Sequence, residues 1–63
     1  MSNEMVEVYG TIIHETNESI LLTDGDIEAW LPLSQISYDA SCGVGDEVIV
    51  EVPEWLAFEK NLI

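Results

Sequence analysis

The sequence has almost no positive charge. Its 63 residues contain no arginine and a single lysine, Lys60, against thirteen aspartates and glutamates, so the formal net charge is −12 at pH 7. Small soluble domains usually carry a net charge of magnitude about 2–8, and repulsion among like charges opposes compaction. Binding to phosphates, whether of nucleic acid or of an anionic membrane, is therefore disfavoured by the charge alone.

Cysteine and long apolar runs are also scarce. Cys42 is the one cysteine, which excludes an internal disulfide. A free thiol is typical of a reducing compartment, and without a basic neighbour we expect Cys42 to be neutral and partly buried. Uncharged apolar stretches reach only about five residues, far short of a membrane span. The opening MSNEMVEV lacks the features of a signal peptide, so we expect a soluble, cytoplasmic protein.

The remaining composition is that of one small folded domain. Apolar residues make up 48% of the chain, more than an intrinsically disordered acidic segment contains. A chain of this length nevertheless buries only about 60% of its unfolded surface. We expect a single domain over residues 1–63, with a barrel at about 5–52 and a C-terminal helix at about 53–63.

Apolar and polar residues alternate over most of the chain, which predicts β-strands. The predicted strands are 6–16, 20–23, 27–31 and 45–52, with one helical or 3₁₀ turn near 33–36. Gly10, in the middle of the first strand, indicates a bulge or a tight bend, and the pair Asp24 and Gly25 indicates a hairpin turn. Four or five short antiparallel strands predict a mainly β fold, a small curled barrel.

In the last eleven residues, 53–63, the apolar residues follow a helical spacing and no longer alternate with polar ones. Pro53 suits the first turn of a helix, and Glu54 complements its positive end. Trp55, Phe58 and Leu62 form one helical stripe. We expect this stripe to cover the open end of the sheet, with Trp55 in the core; contact with a partner is the alternative.

Two stretches resemble a known family. EAWLPLSQI (28–36) and VGDEVIVEV (44–52) are similar to the S1-type OB barrel, where a strand ends in a V-P-x-S-x-[LI] corner and the next begins G-D-x-V-x-V-x-V. VEVYGTI (6–12) is similar to the first strand of that family, and SH3-like barrels share the G-D-x-V entry. The resemblance implies an OB-like or SH3-like barrel. WLPLSQI (30–36) and VPEWLAFEKNLI (52–63) also resemble short, uncharacterised proteins of phage and prophage genomes.

Nucleic-acid binding, the function of S1-type barrels, does not fit this charge. OB domains bind single strands with a basic groove and exposed aromatic side chains. Tyr9 and Trp30 could serve as the aromatics, but acids occupy the outward faces where cations are needed. These acids are Glu7, Glu28, Glu47 and Glu51. Direct binding of nucleic acid is therefore kept only as a second alternative.

No motif indicates a metal or a catalytic site. The acids of TDGDIE (23–28) alternate around a turn, but an EF-hand loop needs glycine at its sixth position and glutamate at its twelfth. Counted from Asp24, those positions hold Ala29 and Gln35. His14 lacks the spacing of a zinc ligand, and a small barrel has little room for a catalytic pocket of ~300 Å³. We expect neither an enzyme nor a cofactor or metal.

The leading hypothesis is a non-enzymatic module that binds a basic protein surface. A domain of this length is about 27 Å across, and duplex DNA of that length carries about 16 phosphates, close to the thirteen carboxylates of the chain. With the phage-like resemblance, this suggests a DNA-mimic inhibitor of a host defence protein, such as a CRISPR or restriction effector. A phage accessory or structural module, such as a homodimer with acids that serve solubility, is the alternative. The residues expected to contact the partner are Glu7, Tyr9, Asp24, Asp26, Glu28, Trp30, Glu47 and Glu51.

Overall fold

The structure, a computed structural model, describes residues 4–63. Its elements in chain order are β1 (Met5–Glu15), β2 (Ser19–Thr23), β3 (Glu28–Pro32), a 3₁₀ turn (Leu33–Gln35), β4 (Glu47–Pro53) and α1 (Glu54–Glu59). The strands form one antiparallel sheet in the order β3-β2-β1-β4. The predicted mainly β fold, with a short C-terminal helix, is confirmed.

The long strand β1 serves both halves of the sheet. Its first part pairs with β4 from Met5 to Thr11, and its last part pairs with β2 from Thr11 to Glu15. The sheet is not closed, since β3 and β4 remain its two edges. Within residues 4–63, one bridge outside the strands joins Ser37, in the connection after β3, to Glu51 on the β4 edge. The expected barrel is therefore an open sheet, linked across its gap at this bridge.

The irregularity of β1 lies at a different residue from the one predicted. The register with β2 shifts between Ile12 and His14, so Ile13 is the extra residue, while Gly10 keeps regular pairing with β4. Of the two alternatives expected at Gly10, a bulge or a tight bend, the bulge is therefore found at Ile13 instead. A Cβ atom at Gly10 would lie 2.5 Å from the backbone oxygen of Thr23. This position requires glycine because β2 approaches β1 closely.

The core lies on one face of the sheet, as the alternation predicts. The three valines of β4 are buried, and the residues between them are exposed. The same period is seen in β3 and in β1 before the bulge. The buried hydrophobic core consists of Val8, Ile12, Ile20, Leu22, Ala29, Leu31, Val48, Val50, Val52, Leu56 and Ala57. The helix thus contributes two residues to a core that is otherwise built from the sheet.

The helix packs through a different face from the predicted stripe. The buried residues of α1 are Leu56 and Ala57, whereas Trp55 is 49% exposed and Phe58 is 72% exposed. The predictions that Trp55 lies in the core, and that Trp55 and Phe58 cover the sheet, are wrong. Two apolar faces compete in this short helix, and the side chains of Leu56 and Ala57 fit against the sheet.

The helix ends in a Schellman motif, which places Leu62 against the core. Asn61 has a positive φ of 61°. Its N–H donates to the Phe58 carbonyl at 3.2 Å, and the N–H of Leu62 donates to the Ala57 carbonyl at 2.8 Å. This motif typically places an apolar residue against the last turn of the helix. Leu62 accordingly packs against the core, the one part of the predicted stripe that does so.

Candidate functional site

The candidate site is the solvent-exposed face of the sheet, which we name the outer face. It carries the residues that alternate with the core in β1, β3 and β4. On the half formed by β1 and β4, the register places Glu7 opposite Glu51 and Tyr9 opposite Ile49. Tyr9 is 61% exposed and Ile49 is 55% exposed. Two apolar side chains therefore lie beside a pair of carboxylates.

Tyr9 forms a side-chain hydrogen bond with an acidic residue of the adjacent strand. Its hydroxyl donates a hydrogen bond to a carboxylate oxygen of Glu47, on the neighbouring strand. This hydrogen bond is the main cause that raises the pKa of Tyr9 above its ordinary value, followed by the negative charge of Glu47 and by burial. The phenol is thus held as a neutral donor, with its ring exposed on the outer face.

Glu7 and Glu51 form a like-charge pair across the two strands. The N–H of Ser37 donates to the Glu51 carbonyl at 3.0 Å, and the N–H of Glu51 donates to the Ser37 carbonyl at 2.8 Å. The backbone of Glu51 therefore faces away from β1, which makes Glu7 and Glu51 a non-hydrogen-bonded pair, the type with the closer side chains. Like charges in this position oppose pairing of the strands.

The other half of the outer face carries Trp30. The register places Trp30 opposite Leu21, and Leu21 opposite His14. The rings of Trp30 and His14 meet edge to face, with centroids 5.7 Å apart and planes at 88°. Trp30 remains 44% exposed. It is therefore a surface residue of the outer face and not a core anchor.

One row of residues crosses all four strands of the outer face. Glu28 lies opposite Thr23, Thr23 opposite Thr11, and Thr11 opposite Glu47. The two carboxylates stand at opposite ends of the row, with two threonines between them. This row joins the half that carries Trp30 to the half that carries Tyr9.

Asp24 and Asp26 lie in the turn between β2 and β3. One carboxylate oxygen of Asp24 accepts hydrogen bonds from the N–H groups of Asp26, at 2.9 Å, and Ile27, at 3.0 Å. The bond from Ile27, followed by that from Asp26, lowers the pKa of Asp24. Gly25 adopts a φ of 104° at the tip. Asp24 therefore shapes the turn, as the predicted Asp-Gly signal implies, whereas Asp26 presents an exposed carboxylate.

Six of the eight predicted contact residues thus lie on the outer face, and two lie in the adjoining turn. The other seven acids are distributed over the remaining elements. They are Glu4, Glu15, Glu18, Asp39, Asp46, Glu54 and Glu59, all exposed except the half-buried Glu54. Negative charge therefore surrounds the molecule. The outer face combines Tyr9, Ile49 and Trp30 with four glutamates.

Among residues 4–63, seven exposed large apolar residues were not among the predicted contacts. They are Met5, Ile13, Val44, Ile49, Trp55, Phe58 and Ile63. Of these, Ile49 lies on the outer face, and Trp55 and Phe58 lie on α1. The alternation of β4 already points Ile49 away from the core, so the sequence contained the signal for this residue. The exposure of the two helical aromatics follows only from the packing of Leu56 and Ala57.

Side chains that could act as a nucleophile or as metal ligands include Cys42, His14 and the acids of the chain. Cys42 is a half-buried free thiol, and burial, followed by the charges of Asp39 and Asp46, raises its pKa. It is therefore a poor nucleophile. Across residues 4–63, no three His, Cys, Asp or Glu side chains are grouped so that they could hold a metal ion.

No protein-family model, curated protein or solved structure matches this chain. Among residues 4–63, no helix has the length and apolar character to cross a membrane.

Proposed function

We propose that this chain is a non-enzymatic binding module that docks the outer face of its sheet onto a basic surface of a partner protein. The observation that supports the proposal is the exposure of Tyr9, Ile49 and Trp30 among four glutamates on one face. Tyrosine and tryptophan are enriched among the residues that dominate interface energies. Carboxylates around them favour a cationic partner and accelerate its association.

The size of the molecule is compatible with this role. The molecule measures 33 × 23 × 16 Å and has an accessible surface of 4172 Å². A stable interface takes about 800 Å² from each partner. An interface of that size takes roughly a fifth of the accessible surface of this molecule, which is compatible with docking through one face of the sheet.

The partner that fits this charge best is a nucleic-acid-binding protein, and we propose inhibition by DNA mimicry. Counted over all its faces, the molecule carries a net charge of −12 along its 33 Å long axis, one charge per 2.8 Å, and four of its thirteen acids lie on the outer face. The charge spacing lies between ~3.4 Å for one nucleic-acid strand and ~1.7 Å for duplex DNA. The charge per unit length is lower than the value expected for a domain about 27 Å across, because the molecule is 33 Å long. A CRISPR or restriction effector, with its Lys- and Arg-lined groove, has the required chemistry.

The test uses two variants with equal net charge. Glu7→Gln, Glu47→Gln and Glu51→Gln remove three charges from the outer face. The matched control, Glu15→Gln, Glu54→Gln and Glu59→Gln, removes three charges elsewhere. The immobilised proteins are exposed to bacterial lysate and washed with increasing salt, and circular dichroism checks their folding.

We expect the wild type to retain a nucleic-acid-binding protein that added duplex DNA displaces. The outer-face variant should retain about tenfold less of it than the control variant does, because it lacks the directed contacts as well as the net charge. Equal losses in the two variants would mean that net charge alone acts. Retention that duplex DNA does not disturb would contradict mimicry.

An accessory module that self-associates is the second candidate function, and the exposed helical aromatics favour it. Trp55 and Phe58 leave an apolar strip on α1 that a second copy could cover. Sedimentation at low and high protein concentration separates the two candidates. A stable oligomer that buries the outer face would overturn the proposed docking.

Binding of single-stranded nucleic acid is tested by titrating an oligonucleotide at low salt, where an unchanged tryptophan fluorescence would exclude it.

A further inference from the structure

The free edge of β3 can be located from the hydrogen bonds at the two ends of its hairpin. At the turn, the N–H of Asp24 donates to the Ile27 carbonyl at 3.3 Å. At the far end, the N–H of Leu33 donates to the Glu18 carbonyl at 2.8 Å. Between these two bonds, hydrogen-bonded and non-hydrogen-bonded pairs alternate along an antiparallel ladder.

Glu28 and Trp30 occupy the non-hydrogen-bonded positions of this ladder, opposite Thr23 and Leu21. Their N–H and C=O groups therefore point away from β2, toward the open side of the sheet. β3 is the last strand on that side, and no backbone group among residues 4–63 pairs with these two residues. The edge offers two donors and two acceptors in the spacing of a β-ladder.

The other edge of the sheet is less available. On β4, Ser37 already pairs with Glu51 through two backbone hydrogen bonds. The segment 38–46 leaves this edge and returns to the start of the same strand. The other backbone groups that point outward on β4 are those of Glu47 and Ile49, so a strand added there would meet Ser37 at Glu51, whereas no bridge from residues 4–63 interrupts the β3 edge.

We propose that the β3 edge binds an extended, cationic segment of the partner protein as an additional antiparallel strand. The proposal rests on the proposed function, since it specifies how the basic partner is held. Strand addition to an open edge takes its affinity from backbone hydrogen bonds and its specificity from alternate side chains. A lysine or arginine opposite Glu28 forms an ion pair, and a second one opposite Trp30 lies against the indole ring.

Charge complementarity identifies the occupant as a cationic segment. Residues 18–34 contain four acids and no lysine, arginine or histidine. The four are Glu18, Asp24, Asp26 and Glu28. A second copy of the chain would bring the same four acids edge to edge, which repulsion disfavours. A segment rich in lysine or arginine is attracted at each of these positions.

A shallow groove extends the site at the end of β3. Its volume is about 400 Å³, and it is lined by Asn17, Glu18, Ser19, Pro32, Leu33 and Ser34. Pro32 has no N–H, so backbone pairing stops there. The added segment therefore leaves the edge at this point, and a cationic side chain can reach the Glu18 carboxylate in the groove.

The test uses short synthetic peptides of alternating lysine and valine, about nine residues long, the upper range of natural strands. In an antiparallel pair, opposite residues share a face and exchange both hydrogen bonds. Lysines that lie over Glu28 and Trp30 must therefore use their own N–H groups for pairing. One peptide carries N-methyl groups on the lysine amides, one carries them on the valine amides, and one is unmethylated. All three have the same charge.

The readout is amide hydrogen exchange of the full chain, measured by NMR at low salt with saturating peptide. We expect the unmethylated and valine-methylated peptides to slow exchange at Glu28 and Trp30 about tenfold, and the lysine-methylated peptide to have no such effect. Equal binding of both methylated peptides, or protection confined to β4, would overturn strand addition and leave the proposed function standing. Protection at β3 that rises with protein concentration alone would indicate a second copy instead. If no peptide binds at all, strand addition is overturned, and the capture experiment with the charge variants decides the proposed function separately.

Discussion

The hydroxyl of Tyr9 donates a hydrogen bond to the carboxylate of Glu47 across β1 and β4, between residues that are 38 positions apart in the sequence. The bond connects an exposed aromatic ring to one of the four glutamates of the outer face. It therefore reports on the arrangement of that face in the folded protein. It also provides a titration signal that a single substitution can change.

Glu47→Gln should lower the pKa of Tyr9 toward its ordinary value, because the hydrogen bond to the carboxylate and its negative charge are the two largest causes of the upward shift. A raised pKa contributes stability that is fully present below the unfolded value of about 10 and is lost as pH rises through the folded value. The ultraviolet absorbance of tyrosinate, followed in a Tyr38→Phe background, measures the shift. Glu51→Gln changes the charge equally without touching this bond. Equal shifts in the two variants would contradict the assignment.

Gly10→Ala should destabilise the domain by about 1–3 kcal/mol, the usual range for overpacking. The added Cβ would meet the backbone oxygen of Thr23 at 2.5 Å, and backbone atoms cannot move aside easily. Gly43→Ala is the matched control, since a Cβ there has no neighbour within 4 Å. Denaturation with urea compares the two variants. Similar urea midpoints for the two variants would contradict the close approach of Thr23 to Gly10.

Glu51→Lys should stabilise the domain by about 0.2–1 kcal/mol more than Glu59→Lys does. Both substitutions change the net charge equally, but only the first replaces repulsion from Glu7 with attraction across the strands. The difference in thermal midpoint should shrink as salt screens the pair. A difference that persists unchanged in high salt would point to packing or strand propensity as the cause.

Leu56→Ala should be far more damaging than Phe58→Ala. Leu56 is 3% exposed and belongs to the core, whereas Phe58 is 72% exposed. Truncation of a buried leucine costs about 2–5 kcal/mol, a large share of the ~3–9 kcal/mol expected for a domain of this length. Truncation at an exposed site usually changes stability by less than about 0.5 kcal/mol. A lower thermal midpoint for Phe58→Ala than for Leu56→Ala would instead indicate that the predicted stripe of Trp55, Phe58 and Leu62 packs against the sheet.

The strands and the composition of the outer face could be predicted because alternation is a local property of the sequence. Alternate residues of a strand point to opposite faces of the sheet, so burial of Val48, Val50 and Val52 on one face places Glu47 and Glu51 on the other. The register that sets Glu7 opposite Glu51 depends on long-range pairing. It is not encoded in either strand alone.

The helix and the bulge show where local patterns fail. Trp55 and Phe58 satisfy a helical period, but so do other apolar positions in the helix, and only the shape of the sheet selects Leu56 and Ala57. A glycine within a strand marks either a bulge or a close approach. At Gly10 the neighbour that decides between them is Thr23, which lies on another strand.

The most direct measurement of the central claim is an NMR titration of the isotopically labelled chain with the protein that it captures from lysate. Docking by the outer face predicts that the largest amide shifts occur at Tyr9, Glu47, Ile49 and Trp30, and that added salt reverses them. Shifts confined to α1 around Trp55 and Phe58, with these four residues unperturbed, would contradict the claim.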